Sequence, residues 1–127
     1  MSDADFPDEL CRFIEDTIPT IETAELLLCL ARHPEREWSP EELAHEIRPT
    51  VITEAAARKS LALFSARGLV VEKQGDRVRF NPSSADGAIR ALAKAYNERP
   101  VTLIRWIYSL KEKKIQSFAD AFKIKKD

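Results

Sequence analysis

Two short helices separated by only a few residues constrain this chain more than any other feature of its sequence. The first helix is announced by the run SPEE at positions 39–42. The Ser39 hydroxyl can accept a hydrogen bond from the Glu42 amide, and the Glu42 carboxylate can accept one from the Ser39 amide, which together make a capping box. Pro40 suits the first helical position because its φ is already fixed. Pro49 disfavours helical geometry at the residue before it, which predicts an end after about two turns.

A second helix is predicted soon after this stop. Thr53 is a suitable N-cap residue, and Ala57, Leu61 and Phe64 recur at helical spacing until Gly68 supplies a C-terminal stop. Two helices joined by a tight turn are typical of a helix-turn-helix. We expect the inward faces of the two helices to be buried together, through Leu43, Leu61 and Phe64.

The residues after Gly68 predict a β-hairpin. Residues 69–71 form a β-prone run, residues 74–76 read Gln-Gly-Asp and favour a turn, and Val78 and Phe80 alternate with arginines as a half-buried strand would. The dipeptide at 37–38, Glu-Trp, is placed to add a third short strand. From residue 20 to residue 80 the predicted order is therefore helix, strand, helix, helix and hairpin.

This central part of the chain resembles a known family. The runs REWSPEELAHEI and AAARKSLALFSARGLVVEKQGDRVRF are similar to the winged helix-turn-helix of bacterial transcription regulators, including those of the MarR type. The tail, with IRWIYS from Ile104 and FADAF from Phe118, resembles the ends of small uncharacterised bacterial winged-helix proteins. The first resemblance implies a hairpin that serves as a wing and a second helix that contacts double-stranded DNA.

The chain is predicted to form a single domain over residues 1–127. Its 127 residues and 44% hydrophobic content suit one core. The fold class is mainly α with a small β-hairpin: a winged helix-turn-helix over residues 20–80, with flanking helices at 1–18 and 84–124. Ser83 and Asp86 predict a capping box near the start of the C-terminal part. Pro100 is expected to kink or split that helix, and Phe118 with Phe122 suggests one last short helix.

The two ends of the chain carry opposite charge. Residues 1–25 hold eight acids against one arginine, a balance of −7, whereas residues 88–127 hold ten lysines or arginines against four acids, a balance of +6. Both ends are also amphipathic, so they could pack together within one chain or between two chains. A homodimer built from the terminal helices is the expectation, and its predicted contact residues are Leu103, Trp106, Ile107 and Leu110.

The exposed face of the second central helix carries the candidate DNA-reading residues. If Ala57, Leu61 and Phe64 face the core, a step of 100° per residue places alanines together with Arg58 and Lys59 outward. In a helix-turn-helix the second helix enters the major groove, where Arg or Lys can bind guanine. The remaining candidates for DNA contact are Thr53 at the start of this helix and Lys73, Arg77 and Arg79 in the hairpin, which could lie over phosphates.

This basic patch is small for a DNA-binding protein. Residues 53–80 contain six cations and three acids, a balance of +3, whereas phosphate binding normally uses a clear positive surface. A solvated helix face and the outer face of a hairpin would explain the same charges. The alternative function is therefore a protein-interaction module that uses the same scaffold without DNA.

Enzymatic and metal-binding functions are not predicted. The chain has two histidines, three glycines and no HExxH, GxGxxG or GxxxxGK pattern. Cys11 and Cys29 lack zinc or redox spacing and are expected to be buried free thiols, although Cys29 and His33 could hold half of a metal site. No cofactor is expected. The sequence has neither a signal peptide nor an apolar run of membrane-spanning length, so we expect a cytoplasmic protein without membrane contact.

Overall fold

The computed structural model describes residues 6–47, 52–84 and 87–112, which form a mainly helical fold with one small antiparallel sheet. The elements in chain order are α1 (Asp8–Thr17), α2 (Ile21–Arg32), β1 (Glu37–Trp38), α3 (Pro40–Glu46), α4 (Glu54–Ala66), β2 (Val70–Glu72), β3 (Val78–Phe80) and α5 (Gly87–Glu98). A further helix, α6, is described over residues 100–112. A short 3-10 turn at Pro82–Ser84 precedes α5. No helix in the described ranges is both long enough and apolar enough to cross a membrane.

The N-terminal caps of α3 and α4 are those predicted from the sequence. The Glu42 amide donates to Ser39 Oγ at 3.1 Å and the Ser39 amide donates to Glu42 Oε1 at 2.9 Å, which completes the capping box. Thr53 accepts from the Ala56 amide at 3.0 Å and caps α4. Each cap satisfies amides that have no partner inside the helix, so these two starts are set locally.

The end of α4 is fixed by Gly68, whose φ is +74°. The Leu69 amide donates to the Phe64 carbonyl at 2.9 Å and the Gly68 amide donates to the Ser65 carbonyl at 3.1 Å. These two bonds are the pair that defines a Schellman motif, which needs a left-handed residue and so favours glycine. The motif turns the chain directly from α4 into β2.

The sheet has the strand order β1, β3, β2, and both pairings are antiparallel. The predicted third strand is thus present, with Trp38 opposite Val78. The hairpin between β2 and β3 turns at Gly75 and Asp76, whose φ values of +67° and +66° are the left-handed pair of a type I′ turn. An aspartate tolerates this conformation better than most residues do.

The inward faces of α3 and α4 meet in one core, as expected. Leu43, Leu61 and Phe64 are all buried, and α3 packs against α4. Trp38, on strand β1, is also fully buried and packs in this core. Burying a side chain of this size contributes about 1.5–3 kcal/mol relative to leaving it exposed.

The terminal helices pack on the same core within one chain. Helix α1 contacts α5, and the rings of Phe6 and Trp106 lie 5.9 Å apart between centroids. The break before Pro100 separates α5 from α6, so the predicted split of the C-terminal helix is present. The expected capping box at Ser83 and Asp86 and the expected short helix at Phe118 and Phe122 involve residues outside the described ranges.

The residues predicted to form a dimer contact have a different environment from the one expected. Leu103, Trp106 and Ile107 are 0%, 7% and 2% exposed, so their side chains are covered within a single chain, and Leu110 is half-buried. The intramolecular alternative explains these three positions, because an amphipathic helix buries its apolar face on the nearest core. The homodimer itself stays a prediction.

Candidate nucleic-acid interface

Helix α4 presents the face predicted from its spacing. Ala57, Ser60, Leu61 and Phe64 are buried, and the outward positions are exposed: Ala55, Arg58, Lys59, Ala62 and Ala66. Inside the core, the Ser60 hydroxyl lies 3.2 Å from the Thr23 hydroxyl and links α4 to α2. The predicted assignment of buried and exposed positions on α4 is therefore confirmed. Three of the exposed positions are alanines, whose small side chains allow another backbone to come close to this surface.

Arg58 is held by two carboxylates. Its Nε donates to Glu54 Oε2 at 3.0 Å along the helix, and its Nη1 donates to Asp76 Oδ2 at 3.2 Å in the hairpin turn. The hydrogen bonds that Arg58 donates to Glu54 and Asp76 raise the pKa of Arg58 above its ordinary value. The three side chains are 50%, 48% and 68% exposed, so water competes with both pairs. Arg58 thus ties α4 to the hairpin, and its charge is offset.

Arg77 connects the hairpin to β1 and α3. Its Nη2 donates to the Glu37 carbonyl and to Glu42 Oε1, each at 3.1 Å. The pKa of Glu42 is lowered from its ordinary value, first by the hydrogen bond from the Ser39 amide and then by the Arg77 charge. The same carboxylate therefore caps α3 and anchors Arg77. This arginine holds three elements together and does not extend freely toward solvent.

A cleft between α4 and the hairpin gathers three of the six predicted DNA-contacting residues. Its volume is about 250 Å³. We call it the hairpin cleft; its lining residues are Pro40, Arg58, Leu61, Ala62, Glu72, Lys73, Asp76, Arg77 and Val78. Arg58, Lys73 and Arg77 thus share one surface with Glu72 and Asp76. The cations are close together, but acids are interspersed among them.

The other three candidates lie elsewhere. Thr53 and Lys59 border a larger groove on the opposite side of α4, with a volume of about 680 Å³. Arg79 is half-buried on β3, between Glu37 of β1 and Val71 of β2 in register, and lines neither space. The six predicted residues therefore do not form one continuous basic surface.

The larger groove, which we call the terminal groove, is bounded by α1, the start of α2, the side of α4 that carries Ala56, Lys59 and Leu63, and α6. Its walls are largely apolar, and charged side chains occur at Glu15, Glu22, Lys59 and Lys111. The apolar lining comes mainly from Ile14, Ile18, Pro19, Ile52, Ala56, Leu63, Ile107 and Leu110. This volume falls in the range of sites that hold a small ligand or several large side chains.

A third, smaller space of about 90 Å³ lies between α2, α3 and α5 and contains polar groups. The Tyr96 hydroxyl donates to Glu25 Oε2 at 2.6 Å. Burial is the main cause that raises the pKa of Tyr96 to about 12, and this hydrogen bond is the second cause. Cys29 is buried, and burial raises the pKa of its thiol, whereas Cys11 is only half-buried. Neither cysteine is part of a disulfide. His33 caps the end of α2, and its ring lies 6.0 Å from that of Trp38 between centroids, tilted by 55°.

The spacing of Cys29 and His33 suggested half of a metal site. Within the described residues, no cluster of three or more His, Cys, Asp or Glu side chains could hold a metal ion. The half-site suggested by their spacing therefore gains no further ligand there. Cys29 contacts the core, and His33 ends α2.

Several features of the two surfaces were not predicted from the sequence. Glu54 stands four residues before Arg58, a spacing that favours an ion pair on a helix and could have indicated their contact. The bonds from Arg58 to Asp76 and from Arg77 to Glu42 span 18 and 35 residues, and no local pattern indicates them. The terminal groove was also missed, although Ala56 and Leu63 lie off the core face of α4.

Comparisons of the chain with protein-family models, with curated proteins and with solved structures found no match. Function is therefore inferred from the geometry of the hairpin cleft and the terminal groove.

Proposed function

We propose that the protein is a winged-helix transcriptional regulator that binds double-stranded DNA through α4 and the hairpin. The observation that carries this proposal is the convergence of Arg58, Lys73 and Arg77 on the hairpin cleft. In a winged helix-turn-helix, α3 and α4 are the paired helices, and β2 with β3 is the wing that follows them. The strand order β1, β3, β2 and the Gly68 turn support this assignment.

The chemistry of the α4 surface suits a DNA groove in two ways. Exposed Ala55, Ala62 and Ala66 allow the helix to approach base edges closely, and alanine can contact the thymine methyl group. Arg58 lies among them and can reach guanine if it leaves its carboxylates. Because solvent-exposed ion pairs contribute little stability, a phosphate or a base edge can replace Glu54 or Asp76 as its partner.

The positive charge of residues 53–80 is small for a DNA-binding protein, and we propose that two copies of the chain associate to increase it. A dimer would present two hairpin clefts and double the number of phosphate contacts, to which DNA affinity responds steeply. Half-sites would then be spaced by the distance between the two α4 helices. Since Leu103, Trp106 and Ile107 are covered within one chain, the contact between copies would have to use other exposed residues, such as Val101 and Tyr108 on α6.

The experiment that tests DNA binding requires no knowledge of the operator. The protein is incubated with a pool of random duplexes at about 50 mM salt, where electrostatic binding is strong, and the retained DNA is sequenced. Retention with an enriched motif is expected. Arg58→Ala should relax preference at one base position, whereas Arg77→Ala should weaken binding to all sequences and lower the salt slope by about 1 per lost contact. Failure to retain any duplex would contradict the proposal.

A second candidate function, a protein-interaction module without DNA, is favoured by one observation. Arg58 and Arg77 already have protein partners, while the terminal groove offers an apolar surface of the kind that binds another polypeptide. If the duplex experiment fails, this candidate takes the place of the first. A protein that binds only through the terminal groove would keep its partner when Arg58 and Arg77 are changed.

A further inference from the structure

Helix α6 has an exposed face opposite the side that packs on the core. Leu103, Trp106 and Ile107 lie on the buried side. At about 100° per residue, the outward face is centred on four positions, all of which are exposed. We call this face the α6 stripe; its residues are Val101, Arg105, Tyr108 and Glu112. Val101 and Tyr108, at 59% and 52%, are the most exposed large apolar side chains of the described residues.

The spacing of the α6 stripe is that of a seam between two helices. Its four positions are separated by four, three and four residues, which is the pattern by which one helix of a coiled coil meets another. The positions are also symmetric about the midpoint of the stripe. An antiparallel second copy of α6 centred on that midpoint would therefore place its Tyr108 against Arg105 and its Glu112 against Val101.

The charges of the α6 stripe favour this antiparallel orientation. In a parallel pair, the two Arg105 side chains would face each other, as would the two Glu112 side chains, and both contacts would be repulsive. In the antiparallel pair, each guanidinium lies over the Tyr108 ring of the other copy and is one helical turn from its Glu112. Within the described residues, neither Arg105 nor Glu112 forms an ion pair, so both charges are available to a partner.

Self-complementarity identifies the partner as a second copy of this chain. A two-fold interface uses the same surface on both subunits, so that surface must contain the complement of each of its own groups. The α6 stripe meets this requirement, because it carries one cation, one anion, one aromatic ring and one aliphatic side chain, placed in two matching pairs.

We propose that two copies of the chain associate through the α6 stripe as an antiparallel helix pair, with the two-fold axis between Arg105 and Tyr108. The α6 stripe shares no residue with the hairpin cleft or the terminal groove, so the pairing uses neither of them. Its role rests on the proposed function, because it supplies the contact that joins two α4 helices on one duplex. Helix α6 is only about 20 Å long, so the pair is a weak dimer that binding at two DNA half-sites reinforces.

Sedimentation equilibrium of the full-length protein without DNA tests the pairing. The mass should rise from monomer to dimer with a dissociation constant between about 10 μM and about 1 mM, as expected for a small interface. Arg105→Glu and Glu112→Arg each bring like charges together and should each raise this constant at least about fivefold. The double variant restores opposite charges and should associate more tightly than either single variant. Lys94→Glu, the same change of charge at an exposed position on α5, is the control and should leave the constant unchanged.

Three results would overturn the proposal. A monomer mass throughout this concentration range would exclude the pairing, and a dimer that resists both single substitutions would use another surface. A double variant that associates no more tightly than the single variants would exclude the antiparallel arrangement. Circular dichroism checks that each variant is folded. Because the measurement contains no DNA, a monomer that still retains duplexes from the random pool would refute the pairing and leave the DNA proposal in place.

Discussion

The hairpin cleft and the terminal groove lie on opposite sides of α4 and differ in size and chemistry. The hairpin cleft is about 250 Å³ and is lined by arginines that already contact carboxylates. The terminal groove is about 680 Å³ and is mainly apolar. The first surface can bind a polyanion only by exchanging its internal partners, whereas the second gains free energy from any apolar group that enters it.

This difference shows that one helix can serve two kinds of contact without sharing residues between them. Arg58 and Ala62 face the hairpin cleft, and Ala56 and Leu63 face the terminal groove. The buried face, with Phe64 at its centre, supports both. One substitution can therefore affect both sides of α4, a second can affect only the side of the hairpin cleft, and a third can remove a single charged interaction.

The largest effect is expected from Phe64→Ala, which removes the common support of the two sides. Phe64 is fully buried between α3 and the rest of the core, so the loss of its ring should lower the free energy of unfolding by about 3–5 kcal/mol. Chemical denaturation measures this loss. Val71→Ala, at an exposed position, is the control. A loss below about 1 kcal/mol would show that Phe64 does not support the core as described.

Gly68→Ala should act on the hairpin side alone and have a smaller effect. The left-handed conformation at Gly68 costs a residue with a Cβ atom roughly 1–2 kcal/mol, and no atom lies close enough to a new Cβ to add a clash. Gly68→Asn should lose less, because asparagine tolerates this conformation. Equal stability of Gly68→Ala and the wild type by thermal unfolding would contradict the Schellman geometry.

The acid dependence of stability should report the Glu42 carboxylate. Its pKa is lowered below the ordinary value of 4.5 in the folded protein, so its stabilising contribution is present above that value and is lost as the pH falls through the folded pKa. Between about pH 6 and about pH 3, the wild type should therefore lose more stability than Glu42→Gln. Denaturation curves across this range provide the comparison, and parallel losses in the two proteins would exclude the proposed linkage.

The sequence predicted the parts of this architecture that local interactions determine. Ser39 and Thr53 accept hydrogen bonds from amides three residues away, and Gly68 allows the turn that ends α4. The starts of α3 and α4 and the end of α4 could therefore be predicted from residues that are close together in the sequence. The hairpin and the split at Pro100 were predicted for the same reason. The phase of α4 followed from the regular recurrence of Ala57, Leu61 and Phe64, which leaves Arg58 exposed.

The sequence did not predict contacts between distant segments. Amphipathic ends predict that the apolar faces become buried, but they do not specify whether the partner is the same chain, and the structure covers Leu103 and Ile107 within one chain. The pairing of Arg58 with Asp76 depends on where the hairpin turn lies relative to α4. For the same reason, neither the hairpin cleft nor the terminal groove could be located before the elements were packed together.

The most direct test of DNA binding through α4 is a double-mutant cycle on Arg58 and Asp76. Duplex affinity is measured at about 50 mM salt for the wild type, Arg58→Ala, Asp76→Asn and the double variant. If Arg58 contacts DNA and Asp76 competes for it, Asp76→Asn should raise affinity by a factor at least about two larger in the presence of Arg58 than in its absence. Equal gains in both backgrounds, which a general change of charge would produce, or no binding by any of the four proteins, would contradict the account.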